Sequence, residues 1–230
     1  MKANEERNLH KMRVLVIAPH RDDEIIGVGG TILKRKAAGD HVTVCIVAAR
    51  EGEVLPDYIE KLHREMQEAH KYCGIDEYVG FPYHSSELEL APRAEFNRHF
   101  LDLVKSQKPD EVYLPFWGDM QKDHQAVTEA AMVALREKYD HPVKRIYAYE
   151  TLSETGINLP TENYAFIPNV FEDISDYLDK KKKALSFFTT QVHPFPDLRS
   201  LETVEALAKY RGSTVNVNAA EAFMLIRETK

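Results

Sequence analysis

The sequence has little cysteine, no long hydrophobic run and no excess of positive charge, and each of these absences excludes a class of protein. Cys45 and Cys73 belong to no CxxC pair, which predicts two buried thiols rather than a disulfide or cysteine ligands. No apolar stretch approaches the roughly 20 residues that cross a bilayer, so no membrane span is expected. The net charge of -7 argues against a nucleic-acid partner bound through a basic surface.

Several catalytic and nucleotide-binding motifs are also missing. The chain has no GxSxG elbow and no P-loop, so a serine hydrolase would lack its nucleophile and an NTP hydrolase its phosphate cradle. Gly27, Gly29 and Gly30 do not form a GxGxxG motif, and the carboxylates before them would repel a pyrophosphate. These glycines are instead expected to let the first helix pack closely on the sheet.

The length and the N-terminus favour one cytoplasmic domain. A chain of 230 residues is long enough for one large domain with a full core. The first residues, "MKANEERNLHKM", are charged and lack the apolar region of a secretory signal, which predicts a cytoplasmic location. Residues 1–11 are expected to be flexible, and residues 152–230 to form a C-terminal extension of the same domain.

Strand-like and helix-like segments alternate from Met12 to about Thr151. This alternation indicates an α/β fold, with a Rossmann-like, doubly wound, mostly parallel sheet and helices on both faces. The strands are predicted at 12–19, 42–49, 77–81, 111–115 and 144–150, and the helices at about 24–38, 56–73, 92–107 and 123–138. The extension is predicted to contain a strand in "AFIPNVF", helices at about 174–188 and 199–211, and a last strand in "AFMLIRE".

Polar segments follow each predicted strand of the alternating region. In a doubly wound sheet, ligands bind beyond the carboxyl ends of the strands, where the strand order reverses. "PHRDDE" follows the first strand and "FWGDMQKDH" follows the fourth. Because the fourth strand can lie beside the first in such a sheet, these two segments are expected to face each other across one crevice.

The two segments contain residues that could bind a divalent metal. His20, Asp22 and Asp23 follow the first strand, and imidazole nitrogen and carboxylate oxygen are ligands for Zn²⁺ or another divalent ion. Taken alone, this segment could equally well cap the next helix instead of binding a metal. However, consecutive acids repel one another unless a cation is present. Asp119, Asp123 and His124 follow the fourth strand. Together the segments favour a His₂Asp site with an open position for water.

Three other features leave alternatives open. Arg50 follows the second strand in "AAREGEV", where it could bind a substrate hydroxyl or anion, or pair with a neighbouring acid. The basic run 180–183 is expected to be a solvated helix face rather than an anion site. His193 lies in "TTQVHPFPD", a loop that could fold over the pocket.

Two motifs in this order resemble those of a known family. "APHRDDEIIGVGG" resembles the AHPDDE signature of the PIG-L/LmbE family of zinc-dependent N-deacetylases, and "DMQKDHQAV" resembles its second signature, HxDH. The later segments "TTQ", "ALAKYRG" and "NAAEAF" are also similar to the family's C-terminal segments. The resemblance implies a hydrolase that removes an N-acyl group, typically acetyl, from an N-acetylglucosamine-like amino sugar, and relatives are often homo-oligomers.

The resemblance also implies a role for each residue of the motifs. It places the zinc ligands on His20, Asp23 and His124, with another divalent metal possible, and the general base on Asp22. In the family mechanism, zinc holds and acidifies a water, the base takes its proton, and hydroxide attacks the amide carbonyl.

Arg21 and Gln121 depart from the family pattern. Arg21 replaces a proline and is expected to alter the turn or to place a cation near the substrate. Gln121 replaces the first histidine of HxDH, which steadies the oxyanion or acts as an acid, with Asp123 orienting it. Glutamine can donate a hydrogen bond but cannot deliver a proton at neutral pH. Two hypotheses remain: a deacetylase in which another group such as Asp22 supplies the proton, or a metal- or sugar-binding homologue with impaired or redirected hydrolysis.

Overall fold

The strands of the chain form one mixed sheet. The structure, a computed structural model, describes residues 11–136 and 143–230. Within these ranges the strands are β1 (Arg13–Ala18), β2 (His41–Ile46), β3 (Glu77–Gly80), β4 (Glu111–Pro115), β5 (Arg145–Tyr149), β6 (Val170–Asp173) and β7 (Ala220–Glu228). They lie in the order β3-β2-β1-β4-β5-β7-β6. Residues 1–11 are expected to be flexible. All of them except Lys11 lie outside the described residues.

Helices cover both faces of this sheet. They are α1 (Asp23–Ala37), α2 (Asp57–Cys73), α3 (Arg93–Gln107), α4 (Lys122–Ala134), α5 (Leu178–Leu185) and α6 (Leu201–Ser213). Alternate residues of β1 point to opposite faces: Val14 and Val16 join a buried cluster with side chains of α1, α2, α5 and α6. Leu15 and Ile17 join a second cluster with α3 and α4. The core therefore consists of two apolar layers, one on each side of the sheet.

The strand order places the predicted crevice. β1 pairs in parallel with both β2 and β4, so the chain runs outward from β1 through β2 to β3 and then returns to β4 on the other side. This confirms the Rossmann-like, doubly wound and mostly parallel arrangement, with β4 beside β1. Only the C-terminal part departs from it, because β7 pairs antiparallel with both β5 and β6. The segments after β1 and β4 thus lie at the point where the strand order reverses.

The largest errors in the predicted boundaries fall in the second half of the chain. The strand predicted in "AFIPNVF" begins only at Val170, because Pro168 lacks the N–H that a sheet ladder needs. The helix predicted from residue 174 begins at Leu178, after a turn. The helix predicted to reach residue 138 ends at Ala134, and residue 138 itself lies outside the described residues.

One other expectation is confirmed. Cys45 and Cys73 are buried free thiols. Among residues 11–136 and 143–230, no helix combines the length and the apolar character that crossing a membrane requires.

Lys181 and Glu221 form a buried ion pair that contacts the backbone of α1. Lys181 Nζ lies 2.6 Å from a carboxylate oxygen of Glu221 and donates to the carbonyl of Ile26 at 2.7 Å. Glu221 in turn accepts the backbone N–H groups of Gly30 and Thr31, both at 2.7 Å. In a regular helix the Ile26 carbonyl would be the partner of Gly30. The pair therefore ties α5 and β7 to the middle of α1, and the predicted solvated face of the lysine run is wrong for Lys181.

Gly27 allows α1 to approach β5 closely. A methyl group at Gly27 would clash with the ring of Tyr149, which is fully buried, so the expected role of this glycine in helix packing is confirmed. Gly27→Ala is expected to destabilise the protein by about 1–3 kcal/mol, because the ring or the helix must move. Urea unfolding followed by circular dichroism measures this cost.

Gly29→Ala is the matched control in the same helix. Its added methyl would lie 3.2 Å from Ile25, a tight but tolerable contact. Both variants gain about 1 kcal/mol of helix propensity, so their difference isolates the clash with Tyr149. Equal stabilities of the two variants would contradict this account.

Candidate metal centre and adjoining pocket

The turn between β1 and α1 holds two adjacent aspartates in different surroundings. Asp22 has φ 120°, a conformation that residues other than glycine rarely adopt, and its carbonyl accepts the N–H groups of Ile25 and Ile26. The carboxylate of Asp23 accepts the N–H of His20 at 2.9 Å. Asp22 Oδ2 is buried without a hydrogen-bond partner. The turn thus leaves the two carboxylates free for separate tasks.

His20, Asp23 and His124 come together across the crevice between β1 and β4. His20 Nδ1 lies 3.3 Å from Asp23 Oδ2, and His124 Nε2 lies 3.4 Å from the same oxygen. One ligand atom from each of the three residues lies within 4.8 Å of the other two. These are the three residues that the sequence predicts as metal ligands, and their role as ligands stays a prediction.

A second carboxylate fixes each histidine. Asp123 Oδ2 lies 2.8 Å from His20 Nε2, and Asp119 Oδ2 lies 2.8 Å from His124 Nδ1. Metal-bound histidines usually have such a partner on the other ring nitrogen, which fixes the tautomer and the ring orientation. The ring nitrogens left over, Nδ1 of His20 and Nε2 of His124, are the two that face Asp23.

The electrostatics of the cluster favour a cation. Burial disfavours charge on His20, yet its hydrogen bonds to Asp123 and Asp23 prevail and raise its pKa to about 9. Burial likewise opposes charge on His124, but Asp23 and Asp119 raise its pKa to about 10. Despite burial, the charge of His124 holds the pKa of Asp23 below its ordinary value. The carboxylates therefore draw positive charge to this point.

Two orphaned atoms show that the residues present fit a metal. Asp23 Oδ1 and His124 Nε2 are buried and have no hydrogen-bond partner. A buried polar atom without a partner is costly, and a cation bound by these residues is a partner that the His124 nitrogen and the Asp23 carboxylate could share. Carboxylate and imidazole in this 1:2 ratio are a donor set that suits Zn²⁺.

The third acid of the first motif has a structural contact. Glu24 is fully buried, and its Oε1 lies 2.9 Å from Nε2 of His70 on α2. Its other oxygen accepts the N–H of Asp22 at 3.0 Å. Glu24 thus fixes the turn that carries Asp22 and ties it to α2.

A cavity of about 410 Å³ opens beside the cluster. His20, Asp22 and Gln121 line this cavity. Other residues of its wall are Arg50, Tyr58, His84, Glu87, Gln191 and Arg199. A larger cavity of about 630 Å³ lies elsewhere and contains none of the three clustered residues. Because it adjoins the candidate metal centre, we assign the smaller cavity as the candidate substrate pocket.

Arg21 and Arg50 line this pocket, and both have protein partners. Arg21 is 4 % exposed, and its guanidinium donates to the carbonyls of Ala48 and Ala49 beyond β2. It therefore links the loops that follow β1 and β2. Arg50 donates to Glu53 at 2.8 Å while 23 % of its side chain remains exposed. The ion pair that the sequence offers as one alternative for Arg50 is present. Substrate contact by either arginine stays a prediction.

Gln121 and Asp123 lie two positions apart in sequence and have different surroundings. Gln121 precedes α4, lines the pocket, and has no side-chain hydrogen bond to any described residue. Asp123 is buried and contacts His20 and the N–H groups of Ser86 and Leu88. The contacts of Asp123 are therefore those of a group that orients His20, rather than the residue at position 121.

Sequence reasoning missed three residues of the site. Asp119 follows the fourth predicted strand, but the sequence did not predict its contact with His124. Gln191 and Arg199 reach the pocket from the connection between α5 and α6, so the loop after α5 does fold over it. His193, the residue considered in that loop, lines a different cavity. No local pattern marks Arg199, because its contacts are with residues far away in the sequence.

The chain is similar to two curated proteins and to one solved structure. The sequence is 26% identical over 192 residues to a probable N-acetyl-alpha-D-glucosaminyl L-malate deacetylase from Bacillus anthracis, covering 79% of this chain and 82% of the relative. It is 26% identical over 208 residues to a diacetylchitobiose deacetylase from Thermococcus kodakarensis, covering 85% and 74%. The conserved protein TT1542 from Thermus thermophilus has the same fold, with a TM-score of 0.77, 23% identity and coverage of 95% and 96%.

A family model supplies the remaining comparison. The model described as GlcNAc-PI de-N-acetylase matches residues 15–135, a range that begins in β1 and includes both motifs of the candidate metal centre. Since this range is more than half of the chain, the protein belongs to the PIG-L family.

Proposed function

We propose that the protein is a zinc-dependent hydrolase that removes an N-acyl group, typically acetyl, from an amino sugar or glycoconjugate. The observation that carries the proposal is the convergence of His20, Asp23 and His124 within 4.8 Å, beside a pocket lined by Asp22. The names of the two curated relatives, both deacetylases of N-acetylated sugars, support the substrate class. We further propose one domain over residues 1–230; a cytoplasmic location and homo-oligomerisation stay predictions.

The residues of the chain divide the reaction between them. His20, Asp23 and His124 would hold the zinc, which when bound acidifies water and polarises the amide carbonyl. Asp22 accepts the proton of the attacking water, since Asp22 lines the pocket and its Oδ2 is buried without a hydrogen-bond partner. Asp22 then returns a proton to the leaving amine, and the amide N–H of Gln121 stabilises the oxyanion. Arg50 and Arg21 hold the sugar from the wall that they line.

Chelator sensitivity with product detection tests the proposal. The purified protein is expected to contain about one zinc per chain and to release an amine from N-acetylglucosamine conjugates. Dialysis against a chelator should abolish amine release, and added Zn²⁺ should restore it. Amine release that persists at full rate in the metal-free protein would refute a metal-dependent mechanism.

Gln121 favours a second candidate, a metal- or sugar-binding homologue with impaired or redirected hydrolysis. Gln121→His separates the two functions, because only a histidine at this position could deliver a proton. For the proposed deacetylase, kcat is expected to change by less than about tenfold, since Asp22 performs both proton transfers. A rise of about 10²-fold or more from a near-background rate, measured by amine release, would favour the impaired homologue. Lys122→His, at the exposed next position, is the control.

A further inference from the structure

Glu65 is a buried acid of α2 that lies outside the candidate metal centre. It is 8 % exposed, and Lys61, one helical turn earlier, lies 3.8 Å away with 54 % of its own side chain exposed. Burying a carboxylate costs free energy unless hydrogen bonds compensate for the lost water. The compensating donors belong to one short segment of the connection between α5 and α6, residues 189–199, which we call the strap.

Two threonines of the strap satisfy both oxygens of Glu65. The hydroxyl of Thr189 donates to Oε1 at 2.5 Å. The hydroxyl and the N–H of Thr190 donate to Oε2 at 2.5 and 3.2 Å. Hydrogen bonds to an ionised acceptor are roughly twice as strong as those between neutral groups. Glu65 therefore anchors the start of the strap to α2.

Gln191 continues this connection into the wall of the candidate substrate pocket. Its side-chain nitrogen donates to the hydroxyl of Tyr58 on α2 at 2.7 Å, and its side-chain oxygen accepts Nη1 of Arg199 at 2.8 Å. Tyr58, Gln191 and Arg199 all line the pocket. Because Tyr58 and Glu65 are seven positions apart, they lie on the same face of α2. The strap is thus attached to one helix face at two points.

The far end of the strap is attached beyond the strands that carry the candidate metal centre. Nε of Arg199 donates to the hydroxyl of Ser153, which follows β5, at 3.1 Å. The carboxylates of Asp22 and Glu154 lie 3.7 and 3.9 Å from the same guanidinium and match its charge. In the sheet, β1 and β4 lie between β5 and the pair β2 and β3, which α2 connects. The strap therefore bridges the pocket from α2 to the loop after β5.

We propose that Glu65 is a positioning residue of the candidate substrate pocket, which anchors the strap so that Gln191 stands in the wall between Tyr58 and Arg199. This inference rests on the proposed function, since the substrate is the amino sugar named there. A wall that the protein already holds in place need not be ordered by the ligand, so binding is tighter. Loss of the anchor should weaken substrate binding while the three candidate metal ligands stay in place.

Glu65→Leu tests the anchor, because leucine fills a similar volume but accepts no hydrogen bond. KM for the methyl glycoside of N-acetylglucosamine is expected to rise about tenfold. The kcat should change by less than about threefold, because Ser153 still holds Arg199 beside Asp22. Hydrogen exchange followed by mass spectrometry should show faster exchange in the strap, with the protection of β1 and β4 and the metal content unchanged.

Glu65→Gln is the conservative variant, and Glu68→Leu is the control. Glutamine can accept a hydrogen bond from one threonine hydroxyl and donate to the other, so KM should stay within about threefold of the wild-type value. Glu68 lies on the exposed face of α2, and its replacement should change neither KM nor exchange. Faster exchange of the strap in Glu65→Leu with an unchanged KM would overturn the proposal. Loss of protection throughout the sheet, with kcat and KM affected alike, would also overturn it, because that outcome indicates a role in folding alone.

Binding without turnover separates failure of this inference from failure of the proposed function. Calorimetry measures the Kd of the methyl glycoside of glucosamine, the deacetylated product. A Kd that rises about tenfold in Glu65→Leu, in a protein that releases no amine from N-acetylated glycosides, would support the anchor and refute the hydrolase. Amine release by the wild-type protein, with KM and Kd unchanged in Glu65→Leu, would do the reverse.

Discussion

Asp22→Asn is expected to lower kcat by about 10²–10⁴-fold while the protein keeps its metal. Asparagine matches aspartate in shape but cannot accept the proton of the attacking water, and general-base catalysis is worth a factor of this size. Because Asp22 lies outside the group of three facing ligand atoms, its replacement should leave metal affinity nearly unchanged. Amine-release kinetics and metal analysis on the same preparation measure the two effects.

Asp23→Asn is the matched variant at the next position. Asp23 supplies the oxygen that lies 3.3 and 3.4 Å from the two histidine nitrogens, so this variant should lose metal as well as activity. Asp102→Asn, on the exposed face of α3, should change neither quantity. If Asp22→Asn loses metal as Asp23→Asn does, or keeps more than a tenth of wild-type kcat, Asp22 is not the base.

The pH profile gives Asp22 an independent readout. Its carboxylate must be ionised to accept a proton, so kcat/KM rises with pH through the pKa of this group. Burial and the neighbouring charge of Asp23 raise the pKa of Asp22 above that of an exposed aspartate. The acidic limb therefore lies at higher pH than an exposed aspartate would give, and Asp22→Asn should remove it from the residual activity.

The parts of the site that follow from local pattern were predictable from the sequence. The alternation of strands and helices places β4 beside β1, and parallel strands bring the residues after them to one edge of the sheet. His20, Asp23 and His124 therefore meet across the crevice. The proposed roles of Asp22 as base and Asp23 as ligand were not evident from spacing and came from the resemblance to the family motif.

The parts that depend on tertiary contacts were not predictable. The partner of a histidine ring is set by side-chain direction, so the sequence could not show that Asp123 would contact His20 rather than serve residue 121. Arg199 has no motif, because its place in the pocket depends on how the connection between α5 and α6 crosses α2. The helix boundaries near residues 134 and 178 are similarly set by local turns rather than by hydrophobic period.

Burial of Lys181 was also invisible in the sequence, and it leads to the largest expected change in stability. A run of four lysines is typical of a solvated face. Yet Lys181 and Glu221 are almost fully buried, with side chains 5 % and 3 % exposed, and they hydrogen-bond to backbone groups in the middle of α1. The sequence gives no period or motif that would distinguish Lys181 from its exposed neighbour Lys180.

Lys181→Met is expected to destabilise the protein by about 3–5 kcal/mol. Methionine fills a similar volume, but it leaves the Glu221 carboxylate buried without its cation and the Ile26 carbonyl without this donor. The free energy of unfolding comes from urea titrations followed by circular dichroism, with the m-value checked for a two-state transition. Lys180→Met is the control, because that side chain is exposed, and its cost should stay within about 0.5 kcal/mol.

The double variant Lys181→Met with Glu221→Gln distinguishes an orphaned charge from lost packing. Glutamine removes the buried charge, and its carbonyl oxygen can still accept one of the N–H groups of Gly30 and Thr31. If the cost of Lys181→Met is mainly the orphaned carboxylate, the double variant should be more stable than the single one. A double variant that is less stable than the single one would show instead that the carboxylate stabilises α1 without the lysine, through its hydrogen bonds to the helix backbone.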